Sequence, residues 1–150
     1  MPLSLARAAS ALLALMATIR REIVVATAPE AAWDAVRDVG AAHRLFPGVL
    51  TDCRMEPTGD GPRARVVTFA NGMQVRELIV AVDDSARRFA WSARGPNFVH
   101  HNAAIEVVAG EDGGSRIVWT ADVLPDAIAA TVAGLMDAGA AALQRTLTAG

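Results

Sequence analysis

Polar and apolar positions alternate along "TIRREIVVAT", residues 18–27, and the β-branched content of that run predicts a strand. The pattern then changes period. In "APEAAWDAVRDVGAAHRLFPGV", residues 28–49, Pro29 stands at a helix start and apolar side chains recur at Ala32, Val36 and Val39, so a helix to about Gly40 and a shorter one to about Phe46 are predicted. Two-residue alternation resumes after Pro47-Gly48 in "VLTDCRMEP", "RARVVTFA", "MQVRELIVAV", "RRFAWSAR", "VHHNAAIEVVA" and "SRIVWTADVL". Short turn segments divide these runs, including "TGDGP", "NG", "DDSA", "GPN" and "GEDGG", which suits antiparallel neighbours. A helix closes the chain from Pro125 to about Thr148, with an apolar stripe through Ile128, Val132, Leu135, Met136, Leu143 and Leu147. Seven antiparallel strands cannot bury a whole face by themselves, and this helix is the one large apolar surface available to cover it. An α+β fold is predicted, with the sheet curled around the C-terminal helix.

One strand pair breaks the apolar pattern. Around Asn71-Gly72, a two-residue loop would set Val66 opposite Glu77, whereas a three-residue loop with a bulge sets Phe69 opposite Met73 and Arg65 opposite Glu77. The second register groups Arg65, Val67 and Phe69 with Met73, Val75, Glu77, Ile79 and Ala81 on one face. Ala64, Thr68, Gln74 and Arg76 fall on the other, wetter face. That segregation favours the second register and places a cation against a carboxylate on the apolar side, where each offsets the cost of burying the other. An exposed cross-strand pair is the plainer alternative. The same parity turns Phe89, Trp91 and Ala93 inward, as it does Ile117, Trp119 and Ala121. Because Glu106 should face water, His101, Ala103, Ile105 and Val107 also point in, and His100 and Asn102 point out. Core packing explains Trp33 and each of the inward tryptophans without a ligand. It also accounts for Cys53, Met55, Phe46 and Met136, although all four can line a cavity.

Composition narrows the functions. The 150 residues suit one domain, and only 5% are aromatic, so an alanine-rich core has few large side chains to fill its centre. A net charge of -2 argues against a nucleic-acid partner. Cys53 is the only cysteine, and His100 and His101 point to opposite faces of a strand, so neither a disulfide framework nor a metal site is expected. His43 reads as a solvated histidine near the mouth of any pocket. The apolar run Ala8 to Ile19 is too short to span a bilayer and lacks a strong basic start, so residues 1–17 are expected to form an N-terminal extension, helical or disordered, with Met16 as an alternative start. Residues 18–150 form the domain, and a cytoplasmic location without stable membrane insertion is expected.

The element order, with "EAAWDAV", "HRLFPGV", "RVVTFANG", "VREL", "VDD" and "GPNFVHHNAAIEVV", resembles the helix-grip fold of the START/Bet v 1-like (SRPBCC) superfamily, in its polyketide cyclase/dehydrase-like branch. The likeness runs from about residue 19 to the C-terminus. It implies a deep apolar cavity between sheet and helix that binds a hydrophobic small molecule of polyketide, lipid or aromatic kind, with no cofactor and with a homodimer left open. Ligand-facing residues would be Arg65, Val67, Phe69, Val75, Glu77, Phe89, Trp91, His101, Ala103, Trp119 and Met136. In abscisic acid receptors, which share the fold, an arginine and a glutamate at similar positions belong to a polar network around the ligand, and Arg65 and Glu77 match these by spacing. His101 stands where cyclase-like relatives carry tyrosine. The alternative is a cyclase or dehydratase in which Arg65 stabilises a developing oxyanion and His101 acts as base. Glu77 serves less well as a base, because the cation opposite stabilises its carboxylate.

Overall fold

In the computed structural model, which describes residues 17–57, 59–96 and 98–149, alternating segments pair into one antiparallel sheet of 7 strands in the order β1-β7-β6-β5-β4-β3-β2. The strands are β1 (Ala17–Val25), β2 (Leu50–Met55), β3 (Ala64–Phe69), β4 (Gln74–Asp83), β5 (Arg88–Arg94), β6 (His100–Ala109) and β7 (Ser115–Leu124). Between β1 and β2 lie α1 (Pro29–Arg37), a 3-10 turn (Val39–Ala41) and the short α2 (Ala42–Leu45); α3 (Ala129–Ala149) closes the chain. This is the helix-grip α+β architecture. The expected N-terminal extension lies outside the described residues except for Ala17, which begins β1.

Helix α1 forms where Pro29 presets the first turn, and its buried face, Ala32, Trp33 and Val36, follows the predicted three-to-four spacing. The Trp33 Nε1–H donates to Asp84 at 2.8 Å, and Arg37 pairs with the same carboxylate, which ties α1 to the turn after β4. At the β3–β4 turn the Gly72 N–H donates to the Phe69 carbonyl at 2.9 Å, and Gly72 sits at φ +88°, a value glycine adopts without steric cost. The result is the three-residue register, with Arg65 opposite Glu77 and Val67 opposite Val75.

Two expectations about sheet faces need correction. A bulge between Ile79 and Ala81 slips the register of β4 against β5, so Val82 rather than Ala81 faces Phe89 and packs on the core, while Val80 is turned out. Ala64, assigned to the wetter face, is buried at 1% exposure despite lying opposite in parity to Arg65. It is paired with Leu78 of β4 on one side, and on the other its carbonyl accepts from the Glu56 N–H at 2.9 Å, so neighbouring chain covers it from both sides.

Along α3 the burial changes. Leu143 and Leu147 are inserted into the packed core with Ile23, Val107 and Ile117, whereas Ile128, Val132 and Leu135, nearer the start of the helix, are only partly covered. That difference leaves space between the first half of α3 and strands β3 to β5.

Candidate functional site

The hairpin register carries the Arg65 side chain inward, where it is 4% exposed, and Glu77 lies opposite at 8%. The Arg65 Nε–H donates to Glu77 Oε1 at 2.8 Å, and a terminal guanidinium nitrogen lies 2.8 Å from the same oxygen. Its other terminal nitrogen donates to the Val39 carbonyl at 2.7 Å, which joins the β3–β4 hairpin to the 3-10 turn after α1. The guanidinium also lies 5.0 Å from the Phe89 ring centroid and 5.8 Å from that of Trp91. A buried cation is thus matched by a carboxylate, a carbonyl dipole and two aromatic faces, the conditions under which burial of charge is tolerated.

The pair forms part of the wall of a partly open cavity of about 380 Å³ between the sheet and α3. This volume falls within the range of small-molecule sites. The wall includes Val67 and Phe69 from β3, Val75 and Glu77 from β4, Trp91 and Ala93 from β5, His101 from β6 and Trp119 from β7. Helix α3 contributes Thr131, Val132, Leu135, Met136 and Gly139; Phe46, Val49, Leu50, Met73, Phe98 and Ile128 complete the lining. Aromatic rings form a connected series across one side. Phe46 lies 5.4 Å from Trp119, Trp119 6.3 Å from Trp91, and Trp91 4.8 Å from Phe89, centroid to centroid.

Two residues of this wall each hold a polar atom that is buried from water and lacks a hydrogen bond among the described residues, His101 Nδ1 and Trp119 Nε1. Burial pushes the His101 pKa down from its ordinary value, against a smaller opposing pull from the Glu77 carboxylate, so the neutral imidazole is favoured. Phe98 packs beside His101 at 5.8 Å. Cys53 does not border the cavity. Its thiol donates to the Val39 carbonyl at 3.6 Å, and burial raises its pKa, which describes an inert core thiol. Met55 packs against Gly40, away from the cavity, and His43 is likewise absent from the wall.

Of the residues expected to face a ligand, Arg65, Val67, Phe69, Val75, Glu77, Trp91, His101, Trp119 and Met136 border the cavity together. Phe89 and Ala103 are absent from that wall. Phe89 is stacked on Trp91 and packed in the core at 3% exposure. Ala103 pairs with Trp91 and Ala121, and its methyl group leaves the wall to the larger neighbouring indole. Parity identified the inward face of both strands but not the depth of each residue along it. The residues missed include Phe98, in the short segment before β6, and Gly139. A Cβ at Gly139 would lie 2.9 Å from two ring atoms of Trp119, so the bare backbone there is what admits the indole against α3. A glycine inside a helix costs about 1 kcal/mol relative to alanine, and that cost is itself a sequence signal of close packing.

Comparison with known proteins agrees with the geometry. The family described as "Polyketide cyclase / dehydrase and lipid transport" matches residues 16–148. No curated protein matches the chain. Among solved structures, a protein from Nitrosospira multiformis superposes with a TM-score of 0.75 at 17% identity, covering 88% of this chain and 97% of its own. An uncharacterized protein from Bacillus thuringiensis gives 0.76 at 17% identity, with 87% and 98% covered. The protein XoxI from Bacillus cereus gives 0.76 at 19% identity, with 87% and 95% covered. At these identities the likeness shows a shared fold.

Proposed function

Because the chain belongs to the polyketide cyclase/dehydrase and lipid transport family, we propose that it binds a hydrophobic small molecule in the cavity between its sheet and α3. The observation that carries this reading is an apolar space of about 380 Å³ that the protein leaves unfilled beside an ion pair buried at one place in its wall. Side chains bordering it, such as Phe69, Val75, Val132 and Leu135, are only partly covered, so a ligand would remove their remaining apolar surface from water. Titration with the neutral fluorescent probe N-phenyl-1-naphthylamine tests it. One saturable site is expected, and Val132→Trp, which fills the space from α3, is expected to abolish it while circular dichroism stays unchanged. A probe signal that does not saturate, or that survives the filled cavity, contradicts the reading.

A second reading, cyclisation or dehydration of a polyketide-like substrate, draws support from the neutral, unpartnered His101 on the same wall. In it His101 accepts a proton from an acidic carbon and Arg65 stabilises the oxygen that gains charge. The Arg65 charge is already balanced by Glu77, and two of its N–H donors are committed to Glu77 and Val39, which counts against that role, so binding stands as the conclusion.

A further inference from the structure

The ion pair in the cavity wall is bonded unevenly. Both contacts from the guanidinium to the carboxylate fall on one oxygen: the Arg65 Nε–H donates to Glu77 Oε1 at 2.8 Å, and Nη2 also lies 2.8 Å from Oε1. Nη1 is turned away to the Val39 carbonyl. Glu77 Oε2 accepts no hydrogen bond among the described residues.

Access separates this oxygen from the other unpartnered atoms. His43 Nδ1, His101 Nδ1 and Trp119 Nε1 are sealed by surrounding protein, so an occupant of the cavity does not reach them. Glu77 Oε2 is unbonded yet is not one of the sealed atoms, so it keeps accessible surface. The Glu77 side chain retains 11% exposure against 5% for Arg65, and it borders the cavity from the inner face of β4.

A carboxylate oxygen can only accept, so the partner it lacks is a donor. Charge decides which donor fits. Arg65 already balances Glu77: a ligand ammonium would meet a carboxylate whose charge is matched, and a ligand carboxylate would bring a second anion beside the first. A neutral hydroxyl supplies the donor without an uncompensated charge, and its bond to a carboxylate is stronger than one between neutral groups.

We propose that the ligand is an uncharged, mainly apolar alcohol or phenol whose hydroxyl donates to Glu77 Oε2. This rests on the reading of the cavity as a ligand site and adds its selectivity. Glu77 is then the residue that selects for the hydroxyl, and Arg65 keeps the carboxylate ionised and in place.

Calorimetric titration with four probes sharing one bicyclic skeleton tests it: 2-naphthol, naphthalene, 2-methoxynaphthalene and 2-naphthoate. Naphthalene and the methyl ether both lack the donor, one being smaller than naphthol and the other larger, so fit alone does not favour naphthol over both. Naphthol is expected to bind about tenfold tighter than either, the size of one hydrogen bond to a charged acceptor, and naphthoate weakest of the four. Arg65→Met/Glu77→Leu removes the pair without stranding a charge; in it naphthalene should still bind, and the ratio between naphthol and naphthalene should fall to about one. Equal binding of naphthol and naphthalene by the unaltered protein, tightest binding of naphthoate, or a naphthol preference that survives the double variant, as a contact to the Thr131 hydroxyl would give, would each overturn the inference while leaving the cavity reading intact. The comparison on the unaltered protein decides the matter even where the variant does not fold. Binding of none of the four overturns the cavity reading and this inference with it.

Discussion

The two halves of α3 meet the same sheet in different ways. Toward its C-terminus the helix is packed solid: Ala142 and Leu143 are fully buried, and Leu147 nearly so. Polar groups fasten this half as well. The Thr27 hydroxyl donates to the Leu147 carbonyl, and Gln144 donates to the Val24 carbonyl at 3.1 Å. Toward its N-terminus, Val132 and Leu135 border open space, and among the described residues no side-chain hydrogen bond ties residues 129–136 to the sheet. Stability is concentrated at one end of the helix and adaptability at the other. On the proposed reading, a chain that admits and releases an apolar molecule needs the second without losing the first.

The buried ion pair is where that division should break most visibly. Arg65→Met strands the Glu77 carboxylate and the Val39 carbonyl, and about 3–5 kcal/mol of stability should be lost in denaturant unfolding. The double variant Arg65→Met/Glu77→Leu should recover most of it, because the uncompensated charge is gone. Recovery of nothing would mean that the pair holds the hairpin by shape and not by charge balance.

Leucine truncations compare the halves directly. Leu143→Ala at the packed end should cost about 2–5 kcal/mol, and Leu135→Ala at the hollow end about 1 kcal/mol, since part of that side chain already borders a void. Equal losses would remove the distinction between the halves. Gly139→Ala should sharpen it. Helix propensity favours the substitution by about 1 kcal/mol, but the added methyl displaces the Trp119 ring toward the cavity, so binding of N-phenyl-1-naphthylamine should weaken while stability changes little.

The smallest effect is that of pH. His101 has a pKa below its ordinary value of 6.5 in the folded state, so the unfolded chain binds more protons between the two values. Its contribution is fully present above the unfolded value and is lost as pH falls through 6.5 toward the folded one. Chemical denaturation of His101→Phe should lack that part of the acid sensitivity.

Much of this arrangement was legible from alternation alone. Strand parity turns Trp91, His101 and Trp119 inward, and the Asn71-Gly72 turn with its segregated faces selects the Arg65–Glu77 register that the structure has. Parity fails where the backbone leaves its regular course. The bulge after Ile79 exchanged Ala81 for Val82, an event set by sheet curvature and not announced by any glycine. Depth was equally hidden, since Phe89 and Trp91 share a face, yet only Trp91 reaches the cavity. The long apolar stripe of α3 read as uniform because a stripe records which side of a helix is covered, and not how closely.

Methyl nuclear magnetic resonance during titration with naphthalene tests the central claim most directly, because it reports on both halves at once. Saturable shifts are predicted at Val67, Val75, Val132 and Leu135, with Val107, Ile117, Leu143 and Leu147 unmoved. Shifts confined to exposed methyl groups such as Val24 and Val80, or no shift in any of the cavity-bordering residues, would contradict a hollow, ligand-binding half.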